Sequence, residues 1–324
     1  MSTLPSNVKH VPKLEARAAA ISLGVGIALM LAKFAAFFLT GSAAIFSDAL
    51  ESIVNVAAAA FATYSLFLAH QPADADHPYG HGKIEFLSAG FEGGMVLLAA
   101  IVAAIQALIG LARGSPDLQS SRLVEGLLLI SCTVVINACL GVYLTRTGRR
   151  HRSLALEADG QHLISDVWSG VFALTGVGAV KLTGLLWLDP LAAIGVAAFI
   201  SRTGISLIRR SAAGLMDEQD QDDSRTLQQL LESHVGPNGK EPRISRYHKL
   251  RHRHSGRYHW VDFHLVLPAD WDIAHGHEVA TTIEDEIERT LREGNATSHI
   301  EPCIRPGCDH CKVVHALADG GVIR

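Results

Sequence analysis

Cysteine is scarce, with five residues in a chain of 324. So few, in so long a chain, do not form a disulfide framework. Cys132 and Cys139 fall inside an apolar block and read as packing residues. Net charge is also small: 28 Lys plus Arg stand against 32 Asp plus Glu, leaving −4 at neutral pH. A mildly acidic chain has no electrostatic basis for binding nucleic acid. The first fifteen residues, with Lys9, Pro12 and Lys13, lack the short apolar core and the small-residue cleavage site of a signal peptide.

What the chain has is apolar sequence in long blocks. Mean hydropathy is +0.23, but the average hides a partition: Ala18 to about Ile208 is apolar, and the remainder is polar and rich in histidine. Disordered and soluble single-domain readings are excluded. A helix needs about 20 mostly apolar residues to cross roughly 30 Å of hydrocarbon. Six segments qualify: Ala18–Leu39, Ala43–Leu68, Phe86–Leu111, Leu123–Leu144, Ala155–Val180 and Leu186–Ile208. Glycines within them, such as Gly90, Gly93, Gly94, Gly170 and Gly176, suit close packing in lipid. Lys and Arg gather on one side, in the N-terminal arm, at Lys83, along Arg146–Arg152 and at Arg209–Arg210. The positive-inside rule then puts both termini in the cytoplasm.

Ionisable residues at membrane depth cost about 2.5–3.5 kcal/mol each on insertion scales, and so mark function. Span two carries Asp48, Glu51 and Asn55, and span five carries Asp159, His162 and Asp166. Each trio is spaced i, i+3, i+7, which places it on one helical stripe. Entering from opposite sides, Glu51 lies about 13 Å deep and His162 about 15 Å deep. The stripes meet near the midplane, where oxygen donors and a His–carboxylate pair make a four-ligand site for a divalent cation.

At these residues the chain resembles the cation diffusion facilitators, divalent-metal/proton antiporters. The resemblance rests on Thr40-Gly41-Ser42 leading into Ser47-Asp48-Ala49, on His77-Pro78-Tyr79-Gly80-His81-Gly82-Lys83, and on His162-Leu163-Ile164-Ser165-Asp166. Leu215-Met216-Asp217 and His248-Lys249-Leu250-Arg251 extend it. It implies a transport site of Glu51, Asn55, His162 and Asp166, with Asp48 assisting as a ligand or as an acceptor behind the ligands. Glu51 and Asn55 are harder donors than the family's zinc pattern, so Mn, Fe, Co or Ni compete with Zn as cargo. The resemblance further implies a loop metal site of Asp74, His77 and His81. It also implies a charge pair, Lys83 with Asp217, that locks two protomers of a homodimer.

The polar part reads as helix, strand, strand, helix, strand, and the resemblance implies a ferredoxin-like, metallochaperone-type domain that dimerises. Ten of the 17 histidines fall between His248 and His315. His259, Val261, Phe263 and Leu265 share one face of the second strand, the core side, leaving His264 on the other. Family matching adds His248, His277, His299 and Glu301 as metal ligands, while His252, His254 and His275 read as surface residues. Cys303, Cys308 and Cys311 are either soft thiolate ligands or part of a flexible tail.

The fold expected is thus an all-α six-helix transmembrane domain followed by an α+β ferredoxin-like cytoplasmic domain. Its parts are an N-terminal arm (1–16), the six-span domain (17–210), the dimerisation and metal-binding domain (211–302) and a Cys/His-containing tail (303–324). The function expected is efflux of a divalent cation across a bacterial inner membrane by alternating access, with protons as counter-ion, lipid as surroundings and no nucleic-acid partner. A membrane-embedded metal hydrolase and a metal sensor are the competing readings of the same ligands.

Overall fold

The computed structural model describes residues 13–40, 43–113, 123–185, 187–236, 238–291 and 293–304. The chain divides into two compact units, Met1–Leu215 and Met216–Arg324. The first holds six long helices: α1 (Lys13–Thr40), α2 (Ala43–Ala69), α3 (Ile84–Arg113), α4 (Leu123–His151), α5 (Leu154–Thr183) and α6 (Leu188–Leu215). Five of them, α1, α2, α3, α4 and α6, are long and apolar enough to cross a membrane. α5 carries Glu157, Asp159, His162 and Asp166 in its first half.

Small residues set the helix spacing. On α3, a Cβ added at Gly93 would come within 3.0 Å of the Gly204 carbonyl on α6. Gly141 of α4 and Gly160 of α5 are matched in the same way, a Cβ on either lying about 3 Å from the other's carbonyl oxygen. With no hydrophobic gain available between helices in lipid, such backbone approach is what holds pairs together. Large apolar side chains such as Leu31, Leu98, Ile105 and Val135 face outward. Cys132 and Cys139 are likewise exposed on α4 rather than packed between helices, a correction to their reading as packing residues. An apolar block that will meet lipid on one face does not reveal which of its residues point inward.

The second unit contains α7 (Gln221–Ser233), β1 (Arg246–Ser255), β2 (Tyr258–Leu267), α8 (Ile273–Leu291) and β3 (Gly294–Pro302). The sheet has strand order β1-β2-β3, with β1–β2 antiparallel and β2–β3 parallel. α7 opens at Asp220, whose carboxylate accepts from the Asp222 and Asp223 backbone N–H groups at 2.8 and 3.1 Å, as N-caps do. Leu227 and Leu231 of α7 join Val279, Ala280, Ile283 and Ile287 of α8 over Val261, Phe263 and Leu265 of β2. One sheet face is therefore the core, and alternate residues of β2 stand on the other.

β1 does not keep one phase. His248 lies opposite His264, but Arg251 lies opposite Asp262, so an extra residue is inserted between them, where Lys249 has φ +51°. Such a bulge shifts the facing of every residue beyond it. His248 stands on the open face, while His252, opposite Val261, and His254, opposite His259, turn to the core face. His252 is accordingly buried, at 3 % exposure, which corrects its reading as a surface residue. His275 is exposed on α8.

Candidate metal centres

In the helical unit, α2 and α5 bring three polar side chains together. His162 Nε2 lies 3.3 Å from Asn55 Oδ1 on α2 and 3.9 Å from Asp166 Oδ2 one turn along α5. Ligand atoms on a common tetrahedral ion with bonds of 2.0–2.1 Å sit about 3.3 Å apart, so these atoms are near coordination spacing. Glu51 lies one turn before Asn55 on the same helix, but its side chain and that of Asp48 fall outside the described residues. Asp159, from the same stripe as His162, turns elsewhere and accepts a 2.6 Å hydrogen bond from Ser22 Oγ on α1.

α5 is fixed just ahead of this ligand stretch. At its first turn the Glu157 carboxylate receives Arg210 from α6 through both oxygens, at 2.9 and 3.0 Å, and Arg149 from α4 at 3.2 Å. Paired guanidinium–carboxylate contact of this kind fixes geometry as well as charge. Two residues before His162, Gly160 lets α4 approach so closely that a Cβ there would lie 2.6 Å from the Thr145 backbone nitrogen.

Sequence reasoning missed Glu92. It is fully buried on α3 and within electrostatic reach of His162, Asp159 and Asp166. Neither of its carboxylate oxygens has a hydrogen-bond partner among the described residues. The signal was available, since an acid eight residues into an apolar span obeys the rule that singled out Glu51. A second omission is Glu15, which lies between His70 at 3.4 Å and His151 at 3.2 Å, with Glu15 and His70 buried.

The loop after α2 gathers Asp74, His77 and His81, whose ligand atoms all lie within 4.8 Å of one another. Asp74 organises the turn: one carboxylate oxygen accepts from the backbone N–H of His77 at 2.6 Å and of Asp76 at 3.0 Å. The His77 backbone N–H in turn holds the Asp74 carboxyl below its usual range. Gly80, at φ +80°, supplies the left-handed residue that returns the chain toward α3. Lys83 follows, donating at 3.5 Å to the Leu215 carbonyl, while Asp217, in the second unit, pairs with Arg253 at 3.3 Å.

On the open face of the sheet, strand register sets His248, His264 and His299 side by side on β1, β2 and β3. Glu301, two residues beyond His299, meets His264 Nδ1 at 2.7 Å and His248 Nε2 at 2.8 Å. These two imidazoles, His264 foremost, hold the Glu301 carboxyl down to about 2. The rings of His264 and His299 are 4.8 Å apart. His277 stands exposed in the first turns of α8 and is not one of the three residues whose ligand atoms converge here. Cys303 follows β3 with a free thiol. Cys308 and Cys311 lie outside the described residues.

Two family models account for most of the chain. Residues 19–216 match the cation efflux transmembrane domain, and residues 239–303 match the cytoplasmic domain of cation efflux proteins. The chain belongs to the cation diffusion facilitator family. Among its relatives, the transporter sll1263 of Synechocystis is 36% identical over 89% of this chain and 90% of its own length. The manganese efflux system protein MneP of Bacillus subtilis is 26% identical over 90% of this chain and 97% of its own. The cation-efflux pump FieF of Shewanella oneidensis is 27% identical, covering 90% and 94%. Members of the family are transporters and not enzymes, so the hydrolase reading falls. With five apolar helices, this member is an integral membrane protein of the metal-efflux class.

Proposed function

We propose that the protein exports a divalent metal cation in exchange for protons, working as a homodimer by alternating access. The observation that carries this reading is the meeting of Asn55, His162 and Asp166 between α2 and α5 at near coordination spacing. Glu51 completes the set and Asp48 assists it. Imidazole and carboxylate bind metal only when deprotonated, so protons arriving at His162 and Asp166 displace the ion and couple the two fluxes. Rocking of helix pairs would then turn the emptied site from one side to the other.

The cargo belongs to Mn, Fe, Co, Ni or Zn. An amide and carboxylates beside one imidazole favour the harder members, and the name of the Bacillus relative points to manganese. All six helices of the first unit span the membrane, with both termini in the cytoplasm, and a bacterial inner membrane suits the bacterial relatives. The second unit is a ferredoxin-like dimerisation module. Its open-face group of His248, His264, His299 and Glu301, with His277, binds cytosolic metal, as the loop group of Asp74, His77 and His81 does at the membrane surface. Lys83 and Asp217 join the protomers.

The test is flux in proteoliposomes under a pH gradient, with Mn, Fe, Co, Ni and Zn compared. Asp166→Ala should abolish flux while leaving the dimer folded. Normal flux by that variant would refute the site, and metal binding without flux in the wild type would make the protein a sensor.

A further inference from the structure

The bulge in β1 builds a second histidine cluster on the core face of the sheet, distinct from the open-face group. His254 Nε2 lies 2.9 Å from Asp223 Oδ2 in the first turn of α7, and His259 Nδ1 lies 3.8 Å from the same oxygen. All three ligand atoms fall within 4.8 Å of one another. The two rings stack with centroids 4.0 Å apart. His259 is fully enclosed, and Asp223 and His254 are about one-fifth exposed, so the cluster has a buried side and an opening.

A chain of hydrogen bonds runs behind the cluster. Ser224 Oγ lies 2.8 Å from the Asp220 carbonyl, which can only accept, so the hydroxyl donates there. Ser224 must therefore accept from His252 Nε2, 2.7 Å away. The other ring nitrogen of His252, Nδ1, lies 2.9 Å from His259 Nε2, so the two imidazoles are joined through those atoms. His259 is thereby oriented with its Nδ1 facing the carboxylate of Asp223. An imidazole oriented through its second nitrogen is how proteins prepare a metal ligand.

We propose that Asp223, His254 and His259 hold a divalent first-row transition cation, with His252 and Ser224 orienting His259. Two imidazoles and one carboxylate form a borderline donor set suited to Zn, Co, Ni or Fe, with the remaining positions taken by water. The observed spacings of 2.9 and 3.8 Å bracket the roughly 3.3 Å expected between ligands on such an ion. Asp223 lies outside residues 239–303, the segment matched to the family's cytoplasmic domain. The site ties the first turn of α7 to the β1–β2 hairpin, and it does not depend on the transport reading.

The experiment uses the full chain in detergent with Co2+ as the probe, in a background carrying Cys303→Ser, Cys308→Ser and Cys311→Ser. With His248→Gln and His264→Gln added to disable the open-face group, His254→Cys should gain a thiolate-to-Co2+ charge-transfer band in the near ultraviolet. Asp223→Asn in the same background should lower the bound Co2+ by one equivalent per chain. Unchanged stoichiometry with Asp223→Asn, or no charge-transfer band with a folded His254→Cys protein, would overturn the proposal. Asp223 and His254 are the less buried members, and native amide-exchange protection in β2 identifies any variant that has lost its fold.

Discussion

Gly160→Ala isolates the contact that sets the position of His162. A Cβ at residue 160 would lie 2.6 Å from the Thr145 nitrogen and 2.9 Å from the Gly141 carbonyl, both backbone atoms of α4 or its side of the interface. Ordinary contact begins near 3.4 Å, so α5 must move away from α4 by about 0.8 Å, since backbone cannot rotate aside as a side chain can. His162 is two residues away and travels with it. Misplacing a reacting group by about 1 Å costs up to roughly 10²-fold in function, and flux should fall by a factor of about 10 to 100. Intrinsic propensity acts in the opposite direction, favouring Ala over Gly in a helix by about 1 kcal/mol. Gly195→Ala on α6, where nothing lies within 4 Å, is therefore the matched control and should transport normally. The assay is initial-rate metal flux in proteoliposomes, normalised to folded dimer. Wild-type flux from Gly160→Ala would refute the claim that α4 holds the ligand helix in place.

Three further outcomes are expected. Glu92→Gln should fold normally but lower flux at least tenfold, because it alters the charge facing His162 and Asp166; unchanged flux across pH 5–8 would remove Glu92 from the site. Ile283→Ala deletes a fully buried side chain from the core of the second unit, and should destabilise that unit by about 2–5 kcal/mol, read from amide exchange in α8 and β2. Glu286 has its carboxyl held below the usual range, chiefly by Lys240 at 2.7 Å. A depressed carboxyl contributes stability above its unfolded value near 4.5 and loses it as pH falls through the lower folded value. Lys240→Ala should therefore cost under about 1 kcal/mol at neutral pH, as partly exposed pairs do. The cost should shrink toward zero in acid, and a cost that persists there would contradict the pairing.

The apolar blocks carry their helices openly, because length and hydropathy alone demand them, and the strand β2 declares itself by strict alternation. The partners within the bundle are less legible. Asp48, Glu51 and Asn55 repeat the spacing of Asp159, His162 and Asp166, yet Asp159 leaves that pattern for Ser22, because a helical stripe spans more than one neighbour and α1 packs beside α5. Glu92 escapes a comparison of two spans since it lies on a third. Phase is the hardest to read. His248, His252 and His254 are all an even number of residues apart, and alternation alone places them on one face. A single inserted residue near Lys249 divides them between the two, and no propensity in His-Lys-Leu-Arg marks where the ladder slips. His277, matched to the open-face group by family pattern, stands apart from its three converging residues within one chain.

The anchoring of α5 at Glu157 also governs leverage. From that clamp His162 lies about 7.5 Å along the helix, whereas Thr183, at the opposite end, lies about 39 Å away, at 1.5 Å per residue. A swing of about 10° pivoting at the clamp would carry His162 only about 1.3 Å but the far tip nearly 7 Å, by the same helix rise. In the proposed cycle a gate at the distant mouth would thus travel about five times as far as His162, and the short arm, not the long one, would bear the ion.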